Sequence, residues 1–317
     1  MKDYEAMRRE MAKIIVGQES VVEEMMIALF SGGHVLLEGV PGLAKTLLIS
    51  SLARVMDLDF NRIQFTPDLM PSDIVGSEIL EEDHGTGHRA FKFIKGPLFA
   101  NVILADEINR TPPKTQAALL QAMQEREVTA GGQTFTLEAP FFVLATQNPI
   151  EQEGTYPLPE AQLDRFMFNV LIGYPSFSDE VAIIESTTGP DEVQLERVVD
   201  GAGVLANQQV IRQVPVAANV TEYAVRLVRA TRVGAGEGSR AAEEFLAWGA
   251  GPRAAQYLIR GAKTRALMDG RPTPDLEDVR RLAHPVLRHR IVSNFHAEAE
   301  SVGKDVIIDR ILAEVSA

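Results

Sequence analysis

The sequence predicts an α/β domain with a parallel sheet, followed by an all-helical domain. Over the first 175 residues helical and extended signals alternate, which is typical of parallel strands joined by helices. After Pro175-Ser176 only helical periods follow, separated by glycine- and proline-containing breaks. Because 317 residues suffice for two domains, we expect an α/β domain over 1–175 and a helical domain over 176–317.

Five short apolar segments are expected to form the strands of the sheet, since each is a run of apolar and β-branched residues bounded by polar or turn-forming residues. They are Val35–Leu37, Phe60–Phe65, Val102–Ala105, Phe141–Thr146 and Phe168–Ile172. One helix should run from Lys45 to about Met56. Another should begin at Thr111-Pro112-Pro113, with Thr111 as a polar cap, and end near Glu125.

Two hairpin signals interrupt the alternation. Extended segments at 78–82 and 90–94 flank a turn with two glycines, and segments at 128–130 and 133–137 flank Gly131-Gly132. We therefore expect hairpin insertions near 78–94 and 128–137.

Composition and charge exclude several classes of protein. The chain has no cysteine, which excludes disulfides, thiolate zinc sites and a cysteine nucleophile. No apolar run reaches the roughly 18 residues of a membrane span, so we expect a cytoplasmic protein without membrane insertion. The net charge of −13 makes nucleic acid an unlikely partner. Only 251–290 is locally basic, with nine basic and four acidic residues.

A glycine-containing loop connects the first strand to the helix behind it. Its sequence, Gly39-Val40-Pro41-Gly42-Leu43-Ala44-Lys45-Thr46, is typical of a loop that holds phosphates on backbone N–H groups and a helix N-terminus. Lys45 would reach the β- and γ-phosphate oxygens, and Thr46 would supply a hydroxyl to Mg²⁺. Ala44 stands where glycine is usual, and an ordinary strand–helix turn is the alternative.

A second strand ends in two carboxylates. Asn101–Ala105 is apolar after its first residue and leads into Asp106-Glu107, which places both acids at the edge where open α/β sheets bind ligands. We expect Asp106 to belong to the magnesium shell and Glu107 to activate the attacking water. A solvated strand end is the alternative, but the phosphate loop about 60 residues earlier makes a nucleoside triphosphatase the better interpretation.

A third strand ends in an amide. Phe141–Thr146 is followed by Gln147-Asn148-Pro149, and Asn148 could orient water between Glu107 and a γ-phosphate. Taken alone, the dipeptide Asn-Pro would indicate only a turn.

Together these motifs closely resemble the MoxR family of AAA+ ATPases, in the helix-two-insert clade. The resemblance covers nearly the whole chain. It is carried by the phosphate loop and by the segments Ile63–Ile74, Asp106–Arg110, Leu119–Glu125 and Ala145–Phe166. It implies a five-stranded parallel sheet with an α-helical lid, in which the two hairpins are the helix-two insert and the pre-sensor hairpin.

The resemblance also implies roles for individual residues. Asn148 falls on the sensor-one position, Arg165 on the position of an arginine finger acting on a neighbouring subunit, and Arg253 on the sensor-two position. Gly251 stands where a serine usually precedes the Pro-Arg pair. A finger should be exposed in the monomer, and Arg110 and Arg126 are the runners-up, although Arg126 more readily forms a surface ion pair. The predicted nucleotide contacts are Val16, Gly17, Gly39, Pro41, Gly42, Leu43, Ala44, Lys45, Thr46 and Leu47.

The function that the resemblance implies is ATP- and Mg²⁺-dependent, chaperone-like remodelling or maturation of client proteins. The expected assembly is a homo-oligomeric ring, a hexamer, with a von Willebrand factor A domain protein as partner. Three alternatives stay open: a motor subunit of a metal-chelatase-like complex, a DNA-handling AAA+ protein, and a nucleotide-binding switch without turnover. The acidic first domain argues against DNA, as does a 128–137 hairpin without Lys or Arg.

Overall fold

The computed structural model describes residues 2–40, 42–82, 89–148, 154–189, 193–234 and 236–316. The part before Pro175 contains α1 (Lys2–Ala12), α2 (Glu19–Phe30), β1 (Val35–Glu38), α3 (Lys45–Val55), β2 (Phe60–Gln64), α4 (Pro71–Val75), β3 (Gly76–Glu82), β4 (Arg89–Lys95), β5 (Val102–Asp106), α5 (Pro113–Glu125), β6 (Glu127–Ala130), β7 (Gln133–Thr136), β8 (Phe142–Gln147), α6 (Glu160–Leu163) and β9 (Phe168–Leu171). The part after it contains α7 (Phe177–Thr188), α8 (Gly201–Gln213), α9 (Ala218–Ala230), α10 (Arg240–Phe245), β10 (Leu246–Trp248), α11 (Pro252–Met268), α12 (Leu276–Arg281), α13 (Ala283–Leu287), β11 (Val292–Ser293), α14 (Phe295–Ala299) and α15 (Lys304–Glu314).

The central sheet has five parallel strands in the order β2-β5-β8-β1-β9, which confirms the predicted α/β class and all five predicted strands. The inner strands are apolar up to their last one or two residues because helices cover both faces of the sheet. Along β5, Val102 and Leu104 face a core shared with α2 and α3, while Ile103 and Ala105 face a core shared with α5. This order places β8 between β5 and β1, so the polar ends of these three strands are neighbours.

Both predicted hairpins are present. β3 pairs with β4, and β6 pairs with β7, each antiparallel, although the turn at 83–88 lies outside the described residues. Phe93 of the first hairpin stacks on Phe135 of the second, with ring centroids 4.3 Å apart, and Phe99 packs edge-on against both rings. The two hairpins are therefore joined by an aromatic cluster.

The part after Pro175 is a helical bundle built around α11, which contacts α8, α9, α12, α13 and, across the chain, α2. The apolar core on the α2–α3 side of the sheet continues into this bundle. One detail of the all-helical prediction is wrong, because Leu246–Trp248 and Val292–Ser293 pair as a short antiparallel ribbon. Strands of two or three residues are too short to leave a periodic pattern. The domain boundary at 175/176 stays a prediction.

The start of α5 also differs from the prediction. The helix begins at Pro113 with Pro112 at its N-cap, and the Thr111 hydroxyl donates to the Leu69 carbonyl instead of capping the helix. Among the described residues, no helix combines the length and the apolar character that crossing a bilayer requires.

Candidate functional site

The phosphate loop connects β1 to α3, as predicted, with Pro41 outside the described residues. Gly42 and Ala44 both have left-handed backbone, with φ of +86° and +52°. Ala44 is thus strained at the position where glycine is usual. Gly39 cannot carry a side chain, since a Cβ there would lie 2.1 Å from Cγ2 of Ile172 on β9's end. The loop thereby lies directly against the sheet.

Two side chains of α3's first turn lie at the loop. The ammonium group of Lys45 donates to the carbonyl of Gly39 at 2.8 Å, so it closes over the loop. Thr46 follows it in the same turn and is half-buried. The N-terminus of an 11-residue helix adds a partial positive charge at this point.

An aliphatic cleft of about 180 Å³ adjoins the loop. Its walls come from the α1–α2 connection, the loop, the end of β9 and α7. Of the predicted nucleotide contacts, Val16, Gly42, Leu43, Ala44 and Leu47 line it, whereas Gly17, Gly39, Lys45 and Thr46 lie outside its lining. Ile15 and Gln18 also line it, in the segment Ile15–Gln18 that resembles the family's adenine-packing segment. Sequence reasoning missed the other wall residues, which are Ile14, Leu48, Ile172, Pro175, Ile183, Ser186 and Thr187. Gly17, with φ of +71°, passes so close to Asp179 of α7 that a Cβ would lie 2.6 Å from that carboxylate.

Asp106 lies at the end of β5 and is nearly buried. Its Oδ1 accepts a bond from the Thr146 hydroxyl at 2.7 Å, and its Oδ2 accepts two from the Arg62 guanidinium, at 2.5 and 3.2 Å. The same Thr146 oxygen accepts a bond from the Glu107 N–H at 2.8 Å. Neighbouring strands thus fix the position of the Asp106 carboxylate and of the Glu107 backbone.

Glu107 has left-handed backbone, with φ of +57°, directly after the strand. A non-glycine residue in this region is strained, and such strain recurs at functional sites. Oε2 of Glu107 accepts bonds from the Gln64 amide at 2.9 Å and from Arg110 at 3.1 Å. Arg62 and Gln64 lie two residues apart on the edge strand β2, so their side chains are on the same face of the sheet and both reach the two carboxylates.

Asn148 directly follows β8 and is buried. Because β8 lies between β5 and β1, Asn148 occupies the position between the carboxylates and the phosphate loop. The structure therefore brings together three of the strand ends that the sequence singled out.

Of the two predicted functional arginines, Arg253 contacts the carboxylate of Asp164, and Arg165 directly follows Asp164 in the chain. Arg253, in the first turn of α11, donates to Oδ2 of Asp164 at 3.0 Å. Arg165, the next residue, is half-buried and donates to the carbonyl of Leu120 at 2.7 Å, so it is less exposed than expected for a finger. Arg290, which sequence reasoning missed, donates to Oδ1 of Asp164 at 2.8 Å.

The runner-up arginines have different surroundings. Arg110 is bonded to Glu107. Arg126 is exposed and has left-handed backbone at the end of α5. Among the described residues it forms no ion pair, so the predicted surface ion pair is wrong. Its neighbour Glu125 instead accepts a bond from the Gln121 amide.

Comparison with known proteins agrees with this geometry. Residues 34–168 match the model of the ATPase family associated with various cellular activities (AAA), and residues 238–311 match the AAA lid domain. Chaperone MoxR1 of Mycobacterium tuberculosis is 45% identical over 307 residues, which is 97% of this chain and 80% of that protein. Protein MoxR of Methylorubrum extorquens is 31% identical over 297 residues, with 89% and 85% covered. A crystal structure of a Cytophaga hutchinsonii protein assigned as an ATPase superposes with a TM-score of 0.89 at 43% identity, covering 99% and 97% of the two chains.

The sheet order, the phosphate loop and the paired carboxylates, with a helical bundle behind them, define the AAA+ class of ATPases. Within this class, the chain belongs to the MoxR family.

Proposed function

We propose that this protein hydrolyses Mg²⁺-bound ATP in a ring of identical subunits and uses the work to remodel or mature client proteins. The observation that carries the proposal is the convergence of three adjacent strand ends. The phosphate loop follows β1, Asn148 follows β8, and Asp106 ends β5 with Glu107 directly after it. Ligands of open α/β sheets bind at such carboxyl ends.

The cleft and the loop together suit a nucleotide. Aliphatic side chains such as Val16, Leu47 and Ile183 would pack against the adenine. The backbone N–H groups at the N-terminus of α3 would donate to the phosphates. Lys45, which now holds the carbonyl of Gly39, would turn its ammonium group to the phosphate oxygens.

The donor set fits magnesium. Mg²⁺ is held by one or two carboxylates together with substrate phosphates and waters, and the Asp106 carboxylate and Thr46 hydroxyl are hard oxygen donors of this kind. When bound, the ion neutralises charge on the β- and γ-phosphate oxygens. Asp106 is already oriented for this role by Thr146, while Arg62 occupies its other oxygen.

Glu107 is the proposed general base. It would take the proton of the water that attacks the γ-phosphorus, and Asn148 would orient that water. Its Oε2 must leave Gln64 and Arg110 before it can take that proton. Arg165 would stabilise the transition state in the neighbouring subunit, and Arg253 would contact the nucleotide of its own subunit.

An arginine that acts across subunits requires head-to-tail contacts between subunits, and we propose that these contacts close into a hexameric ring. The proposed moving parts are an α/β domain over 1–175 and a lid over 176–317. Since α7 of the lid forms one wall of the nucleotide cleft, the nucleotide would bridge the two domains. ATP hydrolysis would then change the angle between them.

The hairpins are the proposed client-contacting elements. Leu80 and Phe91 form a cross-strand pair on the first hairpin and are 54% and 74% exposed. Because Phe93 and Phe135 stack, the first hairpin would move together with the second. The proposed client or adaptor carries a von Willebrand factor A domain, and the proposed location is the cytoplasm. The second hairpin does not favour the DNA-handling alternative, since β6 and β7 carry no basic side chain.

The test is ATP turnover measured against protein concentration, with the mass of each sample determined by light scattering. We expect turnover per subunit to rise as mass shifts to that of a ring, and Glu107→Gln to assemble without turnover. A wild-type protein that binds ATP but stays monomeric and inactive at every concentration would contradict the proposal.

A further inference from the structure

Side chains of the helical bundle hold four consecutive backbone carbonyls of the 164–167 segment, which contains Arg165. Arg290 donates to the carbonyls of residues 164, 166 and 167 at 3.0, 2.5 and 3.2 Å. The Tyr257 hydroxyl donates to the carbonyl of residue 165 at 3.2 Å, and His289 bonds that of residue 166 at 3.1 Å. The backbone that carries Arg165 is therefore positioned by the bundle.

Arg290 is the centre of this arrangement. Its side chain is only 2% exposed, and all five of its N–H groups are used, because it also donates to the Asp164 carboxylate and to the carbonyl of Val286. It lies over the ring of Tyr257, 5.1 Å from the centroid. We call this buried guanidinium a fixed point because all of its donors are bonded. Breaking these bonds would leave a buried charge without partners, which is costly.

Asp164 connects this fixed point to Arg253. One carboxylate oxygen accepts from the buried Arg290, and the other accepts from Arg253, whose side chain is 41% exposed. The Arg253 bond is the one that can break, since solvent can replace it. Arg165, next along the chain, is meanwhile held on the carbonyl of Leu120 at 2.7 Å.

We propose that Asp164 is a positioning residue that makes the placement of Arg165 depend on the nucleotide bound to its own subunit. This inference rests on the proposed roles of Arg165 and Arg253. Without nucleotide, Arg253 holds Asp164, and Arg165 stays on Leu120. When a γ-phosphate draws Arg253 away, the Asp164 carboxylate keeps only its bond to Arg290, and Arg165 is released toward the neighbouring subunit.

The test uses mixed rings in which ATP can be hydrolysed only where an acceptor subunit lies next to a donor subunit. Acceptor subunits carry Arg165→Ala, so they hydrolyse ATP only beside a donor's Arg165. Donors carry either Lys45→Ala, which leaves them empty, or Glu107→Gln, which leaves them filled with ATP. We expect filled donors to support at least about fivefold more turnover than empty ones, the lower range of coupling between sites.

Breaking the Asp164–Arg253 bond should remove this difference. Adding Arg253→Gln or Asp164→Asn to the empty donor should raise acceptor turnover to the level of the filled donor. Glu160→Gln is the matched control, an exposed carboxylate on α6 without an arginine partner among the described residues, and it should leave the difference intact. Each mixture is compared at equal ring mass and after a thermal unfolding check of the donor.

The outcomes separate this inference from the proposed function. Equal turnover with filled and empty donors, or a difference that survives both Arg253→Gln and Asp164→Asn, overturns the role of Asp164 alone. No turnover in any mixture that forms rings overturns the in-trans role of Arg165, and the inference falls with it. A purely structural role would lower turnover with both donors and leave their ratio unchanged.

Discussion

If Asp106 holds Mg²⁺ as proposed, Arg62 competes with the ion for this carboxylate, and removal of Arg62 is the perturbation that we develop first. Its guanidinium lies 2.5 Å from Oδ2 of Asp106, the oxygen nearest to it, while Oδ1 is bound by Thr146. In Arg62→Gln, Mg²⁺ no longer has to displace a cation to reach this carboxylate. We therefore expect Mg²⁺-dependent ATP binding to become tighter, not weaker.

The magnitude follows from the exposure of the pair. Asp106 is 12% exposed and Arg62 is 48% exposed, so solvent screens one partner. Solvent-exposed pairs contribute about 0.2–1 kcal/mol, and about 4 kcal/mol is the Coulomb energy of unit charges 4 Å apart near a protein surface. We take about 1 kcal/mol, which corresponds to roughly a fivefold fall in the half-saturating Mg²⁺ concentration.

The assay is the binding of a fluorescent ATP analogue, titrated with Mg²⁺, for wild type, Arg62→Gln and a control. Arg54→Gln is the control, because Arg54 is an exposed arginine at the far end of α3 with no side-chain partner among the described residues. A half-saturating Mg²⁺ concentration that is unchanged or higher in Arg62→Gln, with the protein folded, refutes the competition.

Two further predictions concern stability. Ala44→Gly should stabilise the nucleotide-free protein by about 1 kcal/mol. The substitution relieves a left-handed backbone that costs alanine roughly 1–2 kcal/mol, but the greater entropy of glycine in the unfolded chain cancels part of this gain. An unchanged or lower Tm in thermal unfolding would contradict this. Asp278→Asn should destabilise by about 3–5 kcal/mol in chemical denaturation, because Asp278 is fully buried and bonded to Arg265 and Arg271 at 2.6 Å each. Burial raises the pKa of Asp278, but Arg271, the backbone N–H of Asp275 and Arg265 lower it below its ordinary 3.8. The wild-type protein should therefore keep this stabilisation above pH 3.8 and lose it as pH falls through the lower folded pKa, whereas Asp278→Asn should lack that step; equal stability of both proteins at pH 7 would refute the prediction.

Local patterns were enough to predict the sheet and the loop. The apolar runs around β5 and β8 are continuous because both faces are covered, and this periodicity is readable without coordinates. Strand ends in a parallel sheet share one edge, so Asp106 and Asn148 could be placed near the phosphate loop. Their fine geometry, such as the Thr146 bond to Asp106, depends on register.

Contacts between distant parts of the chain could not be predicted in this way. Arg290 reads as one residue of a solvated basic stretch, yet it is buried against residues about 120 positions earlier. The contribution of α7 to the cleft was missed because its Ile183 and Thr187 come to line the cleft only through the packing of distant parts of the chain. One sequence pattern could have indicated the positions of Arg62 and Gln64. These polar residues flank the apolar Ile63 on β2, the strand that pairs with the strand ending in Asp106.

The measurement that tests the central claim most directly is turnover of mixed Arg165→Ala and Glu107→Gln subunits. Each variant alone should assemble and be inactive, the first for want of a finger and the second for want of a base. In a random equimolar ring, roughly a quarter of the sites pair an intact base with a neighbour's intact arginine, so turnover should return to about that fraction of wild type. Mixed rings of full mass that show no turnover, or Arg165→Ala alone with wild-type turnover, would contradict catalysis at the subunit interface.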